Sequence, residues 1–177
     1  MNFCDRRNIF LMGFMGTGKT TVGRHLAAKL NRKFVDTDDL IVEKAHLPIA
    51  DIFARFGEAY FRGIERDVIR QAVEMTPAVI ALGGGAVCDP ENWQAIRASG
   101  ITVTLNCQPA IIVERLQKDQ SRPLLNSATD DKLIQIERLL RQRLPFYKRA
   151  DYFLEIEGNE PGEQIAGRII RLIHGEQ

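Results

Sequence analysis

Asn8-Ile9-Phe10-Leu11-Met12-Gly13-Phe14-Met15-Gly16-Thr17-Gly18-Lys19-Thr20 opens the chain's first ordered pattern, and the segment TVGRHLAAKL follows it directly. Gly13 to Thr20 satisfies GxxxxGK[ST], between a short apolar run that reads as a strand and an amphipathic stretch that reads as a helix. Glycines let such a turn curl so that backbone N–H groups face an anion, and the following helix N-terminus adds its dipole. The Lys19 ammonium then reaches β- and γ-phosphates, and the Thr20 hydroxyl is placed to ligate Mg²⁺. A glycine turn that merely joined a strand to a helix would need neither group.

Outward from this loop, short β-rich runs alternate with longer helical patterns, which predicts βαβ units and a parallel sheet. The expected strands are Asn8 to Met12, Lys33 to Asp36, Ala78 to Leu82, Ile101 to Asn106 and Asp151 to Ile156. The expected helices are Lys19 to Leu30, Asp38 to Lys44, Ile49 to Phe56, Glu58 to Glu74, Pro90 to Ala98, Pro109 to Gln117, Asp130 to Tyr147 and Pro161 to Ile173. Pro90, Pro109 and Pro161 stand where a first helical turn tolerates proline. The polar interval Lys118 to Asp130 has no clear periodicity and is the expected lid.

A chain of 177 residues and 20.0 kDa is one domain's worth, so a single domain over residues 1–177 is expected. Its 45% hydrophobic and 27% charged content excludes a disordered or collagen-like chain. The net charge of +1 supplies no global field toward nucleic acid or anionic lipid, so neither partner is expected and any anion site must be local. Basic residues gather between positions 114 and 149. Cys4, Cys88 and Cys107 are odd in number and far apart, with no CxxC pair, so neither a disulfide framework nor a zinc site is indicated. The run Ile9 to Met15 is too short to span a bilayer and lacks a signal peptide's features, which points to the cytoplasm.

The loop motif serves switches, motors and small-molecule kinases alike. No NKxD tetrapeptide for guanine is present, and the strand AVIAL ends in three glycines instead of an acidic pair, which turns the reading toward a small-molecule kinase. After the second strand comes Asp36-Thr37-Asp38-Asp39, where alternation along an extended chain would point Asp36 and Asp38 the same way. At the carboxyl end of a central strand one acid would support Mg²⁺ through water, and the other would take a hydroxyl proton or bind an acceptor. Asp39 reads as the capping or solvent-facing residue. Gly83-Gly84-Gly85 offers only close backbone approach with exposed N–H donors. Arg62 and Arg143 are each able to fork onto a carboxylate or a phosphate.

Taken in order, GFMGTGKT, DTD, Phe61-Arg62-Gly63-Ile64-Glu65, GGG, Arg122-Pro123-Leu124-Leu125 and Arg143-Leu144-Pro145-Phe146-Tyr147 resemble the shikimate kinases over nearly the whole chain. Met15 stands where many members have proline, and the interval 118–121 is short, but neither removes a chemical group. The resemblance implies a three-layer α/β P-loop fold, a five-stranded parallel sheet in order 2-3-1-4-5 flanked by helices, with a lid. It implies transfer of the ATP γ-phosphoryl group to the 3-hydroxyl of shikimate, with Mg²⁺, by a monomer. By the same resemblance Gly13, Gly16, Thr17, Gly18, Lys19, Thr20 and Thr21 contact the nucleotide, Arg115 packs on adenine, and Arg122 reaches the phosphates from the lid. Thr20 and Asp36 serve the metal, Lys19, Asp38 and Arg122 serve catalysis, and Asp38, Arg62, Gly83, Gly84, Gly85 and Arg143 hold shikimate. The rivals are a gluconate-type kinase on the same architecture and a nucleotide-binding module without catalysis.

Overall fold

The computed structural model describes residues 6–118 and 129–175. The elements run β1 (Asn8–Met12), α1 (Lys19–Leu30), β2 (Lys33–Asp36), α2 (Thr37–Ala45), α3 (Ile49–Val73), β3 (Ala78–Ala81), α4 (Pro90–Ser99), β4 (Gly100–Cys107), α5 (Pro109–Lys118), α6 (Thr129–Tyr147), β5 (Tyr152–Ile156) and α7 (Gly162–His174), with a short 3₁₀ turn at Ala86–Cys88. The strands form one sheet in the order β2-β3-β1-β4-β5, every pairing parallel. This is the order that the resemblance implies.

β1 lies at the centre and is buried at all five positions, as a strand covered on both faces must be. Its one polar residue explains itself: the Asn8 amide donates to Val73 O at 2.9 Å and accepts from the Ala78 N–H at 2.9 Å, tying the end of α3 to the start of β3. With β1 and β3 paired side by side, the loops after both strands open at the same carboxyl edge. The main core is built on this sheet, and Ile41, Ile52, Phe61, Ile64 and Val68 form a second, smaller cluster between α2 and α3.

Two local expectations change. The helices expected on either side of Gly57 are assigned as one element, yet Gly57 itself is non-helical, with φ 78° and ψ 176°, so the break lies at that residue. Strand alternation does not bring Asp36 and Asp38 together, because β2 ends at Asp36 and Asp38 belongs to the first turn of α2. The Asp36 carboxylate caps that helix, with Oδ1 accepting from the Asp38 N–H at 3.0 Å, so the cap expected of Asp39 is supplied by Asp36. The expected lid between the α5 and α6 ends, with Arg122 in it, lies outside the described residues.

Candidate active site

The turn after β1 has φ values of 140°, 79° and 92° at Gly13, Gly16 and Gly18. At Gly13 the requirement is double, because a Cβ there would also lie 2.3 Å from the Leu105 carbonyl oxygen. Gly18 is the N-cap of α1, so the helix begins directly at the end of the loop, an arrangement that presents backbone N–H groups and the helix dipole to an anion. Thr17 Oγ1 donates to Phe14 O at 2.8 Å and stiffens the turn from inside. Lys19 Nζ bridges Gly13 O and Phe14 O, each at 2.9 Å, which folds the ammonium over the loop.

Thr20 Oγ1 donates to Asp36 Oδ2 at 2.7 Å, so one carboxylate both caps α2 and binds the loop hydroxyl. A hydroxyl and a carboxylate side by side form a hard-oxygen pair suited to Mg²⁺, which keeps most of its shell for water and phosphate. A cavity of about 210 Å³ lies against this pair, lined also by Lys19, Thr21 and Arg115. The Arg115 guanidinium donates to Gly16 O at 3.2 Å and Gly158 O at 3.1 Å, joining the loop to the turn before α7.

A second cavity, of about 730 Å³, adjoins the first, and Met15, Asp38 and Gly84 line both. One end is polar, with Asp38, Asp39, Arg62, Glu65, Arg143 and the glycine loop, and the other is an apolar wall including Val42, Ile49 and Phe53 from α2 and α3. Arg62 is held by Glu65, Nη1 to Oε2 at 2.7 Å, and by Glu58, Nη2 to Oε1 at 3.1 Å. Glu65 is 1% exposed, and burial pushes its carboxyl up despite the opposing pull of Arg62. Burial works to lower the Arg62 pKa, but Glu65 and Glu58 outweigh it and push the value up. Asp39 is also pushed up, first by burial and then by Asp36.

A Cβ at Gly85 would stand 2.9 Å from both terminal Arg62 nitrogens, so a side chain there would displace the guanidinium. One donor of the glycine loop is already engaged, the Gly83 N–H donating to Thr37 Oγ1 at 2.9 Å, and Gly84 O accepts from the Tyr147 hydroxyl at 2.6 Å.

The structure thus gathers Lys19, Thr20, Thr21, Asp36 and Arg115 at one cavity, and Arg62, Gly83, Gly84, Gly85 and Arg143 at the other, with Asp38 between. Sequence reasoning gave no role to Glu65, Thr37, Tyr147 or Asp39 in this site. Glu65 was within reach, because Glu58, Arg62 and Glu65 follow helical i,i+3 and i,i+4 spacing. Tyr147 stands four residues after Arg143, the same kind of signal. For Thr37 no local pattern exists, since its partner is 46 residues away.

The family model for shikimate kinase matches residues 15–174. A shikimate kinase of Caldicellulosiruptor saccharolyticus is 44% identical over 168 residues, 95% of each chain. One of Caldanaerobacter subterraneus is 41% identical over 165 residues, 93% of this chain and 95% of that one. Among solved structures, shikimate kinase from Acinetobacter baumannii in complex with shikimate superposes with a TM-score of 0.92 at 36% identity, covering 98% of this chain and 96% of that one. A sugar kinase from Janibacter, at 17% identity and a TM-score of 0.57, shares the fold alone. With a phosphate loop on one side of Asp38, a paired-arginine cavity on the other, and this likeness along nearly the whole length, the chain belongs to the shikimate kinase family.

Proposed function

We propose that the chain transfers the γ-phosphoryl group of ATP to the 3-hydroxyl of shikimate, giving shikimate 3-phosphate and ADP, a step toward chorismate and the aromatic amino acids. The observation that carries this reading is the meeting of the two cavities at Asp38. A phosphate donor seated on the loop and an acid seated on the arginines would present their reacting atoms to the same carboxylate.

In this reading the loop N–H groups and the α1 N-terminus hold the phosphates, with Thr21 beside them, while Thr17 is buried and stiffens the loop from inside. Lys19 swings from the loop carbonyls to the transferring group and balances its charge. Arg62 and Arg143 hold the acceptor carboxylate, Gly83 to Gly85 allow the ring to approach, and Asp38 orients the hydroxyl and takes its proton. Thr20 and Asp36 hold Mg²⁺, which when bound neutralises phosphate charge. Arg115 lies beside adenine, and Arg122 reaches the phosphates, a role that rests on the family resemblance. Phosphoryl transfer asks little covalent chemistry of a protein, so positioning and charge suffice.

Both cavities lie on loops of one five-stranded sheet, which supports one kinase domain over residues 1–177, and the family resemblance implies a monomer. The cytoplasmic setting rests on the sequence reading; no helix among the described residues is long and apolar enough to cross a membrane.

The test is ADP release by the purified protein with ATP and Mg²⁺, comparing shikimate, gluconate and no acceptor. Release that depends on shikimate, with a phosphorylated product of the matching mass, is expected. Release with gluconate alone overturns the acceptor, and nucleotide binding without acceptor-dependent release overturns the enzyme.

A further inference from the structure

Tyr147 closes α6 as one of the largest fully buried side chains, 1% exposed. A ring in that place needs no hydroxyl for packing, because a phenylalanine would fill the same volume. A buried hydroxyl without partners is costly, so its partners show what it is for. The Tyr147 hydroxyl donates to Gly84 O at 2.6 Å, and the Arg143 guanidinium, from one helical turn earlier, sits against the same glycine, where an added Cβ would stand 3.5 Å from its Nη1.

The phenol gives its one proton to Gly84 O, which leaves only its lone pairs to face the neighbouring Arg143 guanidinium, a group that can only donate. The phenol keeps that proton, since burial pushes its pKa up to about 12. The Tyr147 backbone is tied down as well, its carbonyl accepting from Thr104 Oγ1 at 2.7 Å on β4. From the other side, the Arg143 guanidinium lies over the Phe14 ring at 5.4 Å, and Phe14 belongs to the phosphate loop.

We propose that Tyr147 is a positioning residue for the acceptor carboxylate, its hydroxyl orienting the Arg143 guanidinium against the Gly84 backbone before the acceptor arrives. Tyr147 touches neither substrate and acts through Arg143. This inference rests on the function proposed above. Pre-setting the fork lowers the ordering cost of binding, so its loss appears in acceptor affinity and not in turnover.

The test combines kinetics with nucleotide-free calorimetry on wild type, Tyr147→Phe, Arg143→Ala and the double variant. Tyr147→Phe is expected to raise both the KM and the Kd for shikimate about tenfold, with kcat and the KM for ATP within about twofold. In the Arg143→Ala background the same change is expected to add less than about twofold, because the residue it acts through is gone. An unchanged shikimate Kd in Tyr147→Phe overturns the inference. So does an equal loss in both backgrounds, or a loss of kcat and ATP affinity together with the melting temperature, which marks a structural role. Wild-type protein that binds no shikimate overturns the functional reading and this inference with it. One measurement needs no variant: guanidinium NMR of the acceptor-free wild type is expected to show restricted rotation at Arg143, and free rotation overturns the tether.

Discussion

Asp38 is the carboxylate that lines both cavities, and its place follows from chain geometry just upstream. Asp36 ends β2 and caps α2, which turns the chain so that Asp38 emerges from the first helical turn beside the glycine loop, where a Cβ on Gly83 would stand 2.8 Å from its Oδ1. Asp38→Asn keeps the shape and removes the proton acceptor. It is expected to lower kcat at least about a hundredfold while nucleotide affinity stays within about twofold. Single-turnover kinetics with a parallel nucleotide titration checks this, and unchanged turnover removes Asp38 from the chemistry. Residues of this kind were visible in the sequence as DTD, but their reason was not: alternation on a strand stood in for a helix cap.

At the scale of elements, α3 carries the acceptor wall on its first half and Arg62 and Glu65 on its second, with Gly57 between them. The φ of 78° with ψ of 176° lies in a region that essentially only glycine occupies, and no atom lies within 4 Å of the point where an added methyl group would stand, so strain and not collision decides a substitution. Gly57→Ala is expected to cost about 1–3 kcal/mol. Since each kcal/mol lowers the melting temperature of a chain of this size by about 2–4 °C, a thermal melt resolves the change. A rise in the shikimate KM is expected with it, because Ile49 and Phe53 shift relative to Arg62. An unchanged melt indicates that the backbone reorients freely at this residue. The expected helix boundary at Gly57 was readable from one glycine, whereas the direction of the bend depends on the α2–α3 cluster that packs beneath it.

For the whole molecule, Asp151 joins elements far apart in the chain. Its Oδ2 accepts from the Thr102 N–H at 2.8 Å and the Thr102 hydroxyl at 2.7 Å, and Oδ1 pairs with Arg97. Burial raises its pKa, but Thr102 and Arg97 outweigh burial and hold it below the ordinary 3.8. A carboxyl depressed in the folded state contributes stability above its unfolded pKa, and that contribution fades as pH falls from about 3.8 toward the folded value. Glu65 acts in the opposite sense, since its raised carboxyl takes up a proton more readily in the folded state than in the unfolded one as pH drops. The comparison of Asp151→Asn with wild type isolates the first effect. The variant is expected to be less stable at neutral pH and to lose less on acidification below about pH 4. Chemical denaturation at a series of pH values checks it, and parallel curves for the two proteins exclude the linkage.

The sequence by itself determined the phosphate loop, the alternation of strand and helix, and the element boundaries to within a residue or two. These are local properties: the loop glycines need positive φ, and apolar periods of two and three to four declare strand and helix. Strand order followed from family resemblance, because nothing in a single strand names its neighbour. Only the tertiary structure decided that Asp36 is a cap as well as a partner of Thr20, that Glu65 is buried behind Arg62, and that the Tyr147 hydroxyl reaches Gly84 O, 63 residues away. Such pairings arise where crossovers bring distant carboxyl ends of strands to one edge, and burial then obliges each polar group there to find a partner.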